Sequence, residues 1–194
     1  APGISDLKLE SKTAVMKKLG IAKEKRPIVM WLGRFTEVKR PDRVIELAKE
    51  AKGFFFVMAG GGELEESVRA SAPENVLVAG WQKKEEMWAI ADIALCTSDS
   101  EGMPLSLIEA QMAGIPVVST NVGSVDEIVV DGVTGRLGKS VEELLSGLEW
   151  VKTNQKSVVK KSALSRKIKK LAHEKFKVET MATAHRELYR KLGV

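Results

Sequence analysis

The chain has 194 residues and a net charge of +5, with 44% hydrophobic and 29% charged residues. This length and composition fit one globular domain over residues 1–194, and no apolar run reaches the roughly 20 residues that a membrane span needs. No secretory signal pattern is present, and the single cysteine, Cys96, excludes an internal disulfide, so we expect a cytoplasmic protein.

Short apolar strands alternate with single helices along most of the chain. Residues 1–10 are polar and predict an interdomain linker, and a short helix is expected at 12–19. Continuous apolar runs predict buried strands at 27–33, 54–59, 76–79, 93–96 and from Val117 onward. Helical spacing between these runs predicts helices at 41–52, 63–70, 83–91, 104–113 and 124–130.

This alternation predicts right-handed β-α-β units. The expected fold is therefore α/β: a Rossmann-like, doubly wound parallel sheet with helices on both faces. Ligands of such sheets bind in the crevice outside the carboxyl ends of the strands. The loops that should meet at this edge contain Arg34, Gly60, Trp81, Glu101 and Asn121.

The strand pattern fades after residue 135, and three helices are predicted at about 141–153, 156–173 and 178–192. His173 and His185 both fall on these helices, so a histidine-based metal site is not expected. The stretch 152–177 is strongly basic. It is either a solvated helix face or a surface that attracts an anionic membrane or a phosphorylated acceptor. Nucleic acid is not an expected partner, because almost no aromatic residues are interleaved with these charges.

The turn after the fourth strand combines an acidic residue with the start of a helix. Glu101 and Gly102 directly precede Pro104, which is suited to the first position of a helix because its missing N–H costs nothing there. Free N–H groups and the positive end of the helix dipole gather at such a point. The turn therefore favours an anionic ligand.

Glu109 lies further along the same predicted helix, on a stripe that it shares with Leu105, Ile108 and Met112. A carboxylate in an apolar stripe is costly unless it is hydrogen-bonded or reaches a polar cleft. Two interpretations are therefore open. Glu109 either lies in solvent at the edge of the stripe or reaches into the crevice.

Arg34 and Lys39 belong to one loop just beyond the first strand. Two fixed cations aimed at the crevice would suit a diphosphate. They could equally be surface cations balanced by neighbouring acids. Arg40 competes with Lys39 for the second position.

Two further loops could contribute to a ligand site. The glycines 60–62 permit a close approach of backbone to ligand, although a plain tight turn is an equal contender. Trp81 follows the third strand and lies either beside a ligand or packed within its loop.

Taken in order, these motifs resemble a known family. The spacing Glu101-x7-Glu109 is similar to the E-x7-E motif of retaining GT-B glycosyltransferases of the family 4 or group 1 type. Gly33-Arg34-x4-Lys39 resembles the family's phosphate-binding loop, and residues 60–63 resemble its glycine-rich turn. Residues 131–135 resemble its D-G-x-x-G segment, which we interpret as a hairpin turn. The resemblance is to the C-terminal, donor-binding half of these enzymes.

The resemblance implies a role for each residue in binding a nucleotide-diphosphate sugar. Arg34 and Lys39 would stabilise the departing diphosphate, Glu101 would orient the sugar, and Glu109 would hold the ribose. The remaining donor-binding positions that it implies are Gly33, Gly61, Trp81, Gly102, Met103, Pro104 and Leu105. The resemblance also implies that the enzyme needs no metal or other cofactor.

The resemblance also implies a missing partner, since the family's N-terminal half supplies the acceptor site. We therefore expect this chain alone to transfer little sugar. A nucleotide-sugar epimerase of related fold and a non-catalytic binding or regulatory module are the alternatives. A Rossmann dehydrogenase and a P-loop NTPase are excluded, because neither G-x-G-x-x-G after the first strand nor G-x4-G-K-[ST] is present.

Overall fold

The structure is a computed structural model that describes residues 7–154 and 163–192. Its strands are β1 (Ile28–Leu32), β2 (Phe55–Ala59), β3 (Val76–Gly80), β4 (Ile93–Cys96), β5 (Val117–Thr120) and β6 (Gly135–Gly138). Its helices are α1 (Lys12–Lys18), α2 (Pro41–Glu50), α3 (Glu65–Ser71), α4 (Lys84–Ile90), α5 (Leu105–Met112), α6 (Val125–Ile128), α7 (Val141–Asn154), α8 (Ala163–Phe176) and α9 (Val178–Leu192). A 3₁₀ turn covers Glu37–Lys39.

The strands form one six-stranded sheet in the order β3-β2-β1-β4-β5-β6. Every neighbouring pair is parallel. The predicted Rossmann-like α/β fold is therefore confirmed. The strand order reverses between β1 and β4, and in folds of this kind ligands bind in the crevice at that point.

Helices cover both faces of the sheet. One apolar cluster joins α1, α4, α5, α6 and α8 to the first face, and a second joins α2, α3 and α7 to the other. The strands explain this arrangement, because β2 and β4 are buried along their whole length. Strands buried on both faces are typical of parallel sheets enclosed between two helical layers.

The sixth strand was not predicted, and the interpretation of residues 131–135 as a hairpin turn was wrong. β6 runs parallel to β5, whereas a hairpin joins antiparallel strands. Its sequence, Gly-Arg-Leu-Gly, has one large apolar residue and so gives no strand pattern. Gly135 is required here, since a Cβ at this position would lie 2.0 Å from the Val117 carbonyl oxygen.

Smaller differences concern the helices. Pro104 is the N-cap of α5 and not its first residue, and Leu105 is 52% exposed where the stripe predicted a buried residue. Helices α7, α8 and α9 occupy the predicted C-terminal region, but positions 155–162 of the basic stretch lie outside the described residues. Residues 7–10 form neither helix nor strand, and the linker assignment stays a prediction.

Candidate functional site

The loops that follow β1, β2 and β3 are joined to one another by backbone hydrogen bonds at the carboxyl edge of the sheet. Gly33 N–H donates to Ala59 O at 3.1 Å, and Phe35 N–H donates to Gly61 O at 3.0 Å. Gly60 has a φ of 139°, and a Cβ there would lie 1.9 Å from Gly33 O. The glycine-rich loop thus fits tightly against the loop that carries Arg34.

A buried polar chain connects β1, β4 and the loop that carries Lys39. The indole N–H of Trp31 donates to Thr97 Oγ1 at 3.0 Å. The Thr97 hydroxyl lies 3.0 Å from Lys39 O and 2.9 Å from Arg40 O, so it donates to this loop. Thr97 is fully buried. It therefore fixes the backbone of Lys39 across the point where the strand order reverses.

Lys39 and Glu101 meet at this point. Lys39 Nζ lies 2.6 Å from Glu101 Oε1, and the Ser98 hydroxyl donates to the same oxygen at 2.6 Å. Burial raises the pKa of the nearby Cys96 thiol, and the negative charge of Glu101 adds to the effect. A neutral thiol beside a paired carboxylate leaves Lys39 and Glu101 as the charged groups at the centre of the site.

The loop after β5 holds the Glu101 turn from its other side. Thr120 Oγ1 donates to Ser98 O at 2.7 Å, and Ser124 N–H donates to Gly102 O at 3.2 Å. Gly123 has a φ of 56°, and a Cβ there would lie 1.6 Å from Glu101 O. A side chain at this position is therefore incompatible with the observed turn.

Glu109 is buried, with 8% exposure, and its carboxylate faces α4. Lys84 Nζ lies 2.6 Å from Oε1, and the Trp88 indole N–H donates to Oε2 at 3.4 Å. The alternative of a solvated Glu109 at the edge of its stripe is therefore wrong. The carboxylate is hydrogen-bonded, as a buried acid must be.

The other cations of the first loop are arranged differently. Arg34 is exposed, and within residues 7–154 and 163–192 its guanidinium has no hydrogen-bond or ion-pair partner. Arg40 pairs with Asp42 at 2.7 Å and with Asp99 at 3.2 Å, and this pairing lowers the pKa of Asp42. Lys39, not Arg40, is thus the cation that contacts Glu101, and the assignment of the diphosphate role to Lys39 stays a prediction.

Trp81 is 75% exposed, and its indole lies against Gly61, where an added Cβ would come within 2.4 Å of Nε1. The ring therefore packs against the glycine loop and exposes most of its surface to solvent. Contact of this ring with a ligand stays a prediction.

A cavity of about 720 Å³ lies behind the 3₁₀ turn, between α2 and α3. It is lined by Val38, Arg40, Asp99 and residues of both helices, and by none of the predicted site residues. This cavity is therefore separate from the contact between Lys39 and Glu101.

The structure brings Lys39 into contact with Glu101 and leaves Glu109 in a second cluster with Lys84. Sequence reasoning missed Thr97, Ser98 and Lys84, which hold these groups. Thr97 and Ser98 simply end an apolar run, and no spacing marks Lys84 as the partner of a residue 25 positions away.

Within residues 7–154 and 163–192, no three His, Cys, Asp or Glu side chains could together hold a metal ion, and the expectation of a metal-free site stays a prediction. None of the described helices is long and apolar enough to cross a membrane. The described basic residues of α8, Arg166, Lys167, Lys169, Lys170 and Lys175, are exposed.

The fold defines a Rossmann-like α/β protein in which a lysine and a glutamate meet where the strand order reverses. The model of the family described as glycosyl transferases group 1 matches residues 11–184. The chain therefore belongs to the group 1 glycosyltransferase family.

Curated relatives match parts of the chain. The O-antigen biosynthesis glycosyltransferase WbnH of Escherichia coli is 32% identical over 103 residues, which cover 52% of this chain and 30% of that protein. The N-acetyl-alpha-D-glucosaminyl L-malate synthase of Bacillus anthracis is 29% identical over 134 residues, covering 64% of this chain and 35% of that protein. The matched region thus spans about a third of the length of these relatives.

Solved structures share the fold over almost the whole chain. HepE of Anabaena, in complex with UDP and glucose, superimposes with a TM-score of 0.82 at 19% identity, covering 97% of this chain and 55% of HepE. Sucrose-phosphate synthase from Thermosynechococcus elongatus gives a TM-score of 0.79 at 22% identity, covering 98% and 51%. The chain therefore spans about half the length of these two proteins.

The buried chain through Thr97 can be tested by removing its hydroxyl. Thr97→Val keeps the shape of the side chain but leaves the Trp31 indole N–H and a loop carbonyl without a partner. We expect the free energy of unfolding to fall by about 1–3 kcal/mol, the cost of unsatisfied buried polar groups. Urea unfolding checks this. Thr97→Ser keeps the hydroxyl and is the matched control, and equal losses in both variants would contradict the assignment.

Proposed function

We propose that this chain is the donor-binding, C-terminal domain of a two-domain, retaining glycosyltransferase that transfers a sugar from a nucleoside diphosphate to an acceptor. The observation that carries the proposal is the contact between Lys39 and Glu101, at 2.6 Å, at the point where the strand order of the sheet reverses. The donor joins an anionic diphosphate to a hydroxyl-rich sugar. The contact places a cation suited to the diphosphate next to a carboxylate suited to the sugar hydroxyls.

The diphosphate subsite in this proposal is formed by Arg34, Lys39 and the start of α5. Arg34 is exposed and has no partner in the described part of the chain, so a ligand can bind it without breaking an existing ion pair. Helix α5 begins at Leu105, directly after the Glu101 turn, and the positive end of its dipole favours phosphate oxygens.

The chemistry follows from this arrangement. When the bond between the anomeric carbon and the diphosphate oxygen breaks, negative charge develops on the leaving phosphate. Arg34, Lys39 and the α5 N-terminus stabilise that charge without a metal ion. Glu101 accepts hydrogen bonds from sugar hydroxyls, and Glu109 accepts them from the ribose. The acceptor binds to the N-terminal half, so the isolated domain binds the donor and turns it over poorly.

The nature of the donor is the next step of the proposal. HepE was crystallised with UDP and with UDP-glucose, and both share this fold over nearly the whole chain. We propose a nucleoside-diphosphate sugar as the donor class here. In this proposal the base of the donor binds at Trp81 and Gly61, which lie against each other.

The donor site can be tested with this chain in a thermal-shift assay with UDP, GDP and ADP. A ligand that binds the folded state raises the melting temperature according to its affinity. We expect at least one nucleotide to do so and Arg34→Ala to abolish the shift. Lys49→Ala removes one positive charge from the exposed far end of α2 and is the matched control. No shift with any nucleotide would contradict the proposal.

The contact between Lys39 and Glu101 gives a second prediction. In the free domain the Glu101 carboxylate competes with a diphosphate for the Lys39 ammonium group. Glu101→Gln removes this competition, so the affinity for the bare nucleoside diphosphate should rise by up to about fivefold, the effect of a partly exposed ion pair.

Isothermal titration calorimetry measures this change, and sugar transfer by the full-length enzyme is measured beside it. Transfer should fall strongly in Glu101→Gln, because the sugar hydroxyls then meet a neutral amide, which accepts hydrogen bonds more weakly than a carboxylate. Weaker nucleotide binding in the variant would show that Glu101 does not oppose the diphosphate. Ser98→Ala, which keeps the charge of Glu101, serves as the control for local disturbance of the turn.

A further inference from the structure

In the described part of the chain, the carboxylate of Glu109 is held by side chains of α4. Lys84 Nζ contacts one oxygen at 2.6 Å, and Trp88 Nε1 contacts the other at 3.4 Å. Lys84 and Trp88 are four residues apart on the same helix, so they face Glu109 from the same side. Within the described residues, these two donors fix the orientation of the carboxylate plane.

An ionised carboxylate has about four acceptor positions. Lys84 and Trp88 use one on each oxygen, which leaves one on each oxygen for a ligand. Two such acceptors side by side match a pair of neighbouring hydroxyl groups, as on a ribose. The contacts with α4 therefore leave Glu109 able to bind a ligand. They also fix the orientation of its two remaining acceptor positions.

Lys84 itself is accessible to a ligand. Its side chain is 45% exposed, whereas that of Glu109 is 10% exposed. A hydroxyl group that hydrogen-bonds Oε1 of Glu109 would lie within about 5 Å of Lys84 Nζ, since two hydrogen bonds of roughly 2.7 Å share that oxygen. A distance of about 5 Å is too long for a hydrogen bond. Lys84 would therefore act on a bound ribose through the Glu109 carboxylate.

We propose that Lys84 is a positioning residue that sets the preference of this site for ribonucleotides over 2′-deoxyribonucleotides. It orients the Glu109 carboxylate so that both ribose hydroxyls are bound together. The inference rests on the proposed function, in which Glu109 holds the ribose. It adds a residue of α4 that makes the site distinguish a ribose from a 2′-deoxyribose in the bound nucleotide.

The test compares UDP with 2′-deoxy-UDP, or the corresponding pair for GDP or ADP if that base binds, by isothermal titration calorimetry. The unmodified chain should bind UDP about tenfold more tightly than 2′-deoxy-UDP, because the deoxy compound lacks one hydrogen bond to a charged group. Lys84→Met should weaken UDP binding about tenfold and leave 2′-deoxy-UDP binding almost unchanged. Lys84→Arg should restore most of the preference.

Lys83→Met is the matched control. Lys83 is the neighbouring exposed lysine at the N-cap of α4, and its loss removes the same positive charge from the start of the same helix. We expect it to leave the ratio between the two nucleotides unchanged. If Lys84→Met weakens both nucleotides equally, as a general charge effect would, the inference is overturned.

A second variant pair keeps the test decisive if Lys84→Met folds poorly because a buried carboxylate is left unpaired. In the Glu109→Gln background, adding Lys84→Met should change the ratio no further, because Lys84 acts through Glu109. A further change of the same size as in the unmodified chain overturns the positioning role. Failure of every nucleotide to bind the unmodified chain contradicts the proposed function itself. If Arg34→Ala abolishes binding but Lys84→Met keeps the full preference for the ribonucleotide, this inference alone is overturned.

Discussion

The site depends on one contact between the loops that follow β1 and β4. These strands are neighbours in the sheet but are separated by two β-α units in the chain, so the sheet must form before Lys39 and Glu101 can meet. Their contact at 2.6 Å lies where the strand order reverses: after β1 the chain continues to β2 on one side, and after β4 it continues to β5 on the other. Because the two charges are mostly shielded from solvent, they interact more strongly than a surface pair would. A donor that carries a diphosphate and a sugar would bind by replacing this contact with one partner for each group.

The surrounding structure keeps the two charges in place through groups that take no part in the chemistry. Thr97 holds the backbone of Lys39, and Ser98 holds the carboxylate of Glu101. Gly123 lets the loop after β5 lie directly on the Glu101 turn. Such second partners are what keep a binding group within a few tenths of an ångström of its working position. The edge of the sheet is therefore a rigid frame, and Arg34 and Trp81 are the exposed groups on it.

The fold could be predicted from the sequence because buried parallel strands are continuous apolar runs, and five of the six strands have that pattern. β6 could not, since Gly135 and Gly138 allow a close approach to neighbouring groups but give no apolar strand pattern. For the site, the alternation of strands and loops predicted that the loops carrying Lys39 and Glu101 lie at one edge of the sheet, and the structure brings these two side chains into contact. The contact of Glu109 with Lys84 is set by the packing of α4 beside α5, and no local pattern in either helix reports how two helices pack. The chemical roles of all these residues come from the resemblance and stay predictions.

The most direct test of the account is a double-mutant cycle between Lys39 and Glu101, with the nucleoside diphosphate that the chain binds as the ligand. Dissociation constants are measured for the unmodified chain, Lys39→Ala, Glu101→Gln and the double variant. If the two side chains share one crevice with the diphosphate, removing Glu101 strengthens binding only while Lys39 is present, with a coupling energy of about 1 kcal/mol. Strictly additive effects would contradict the account, because they would mean that the diphosphate does not bind where these two groups meet.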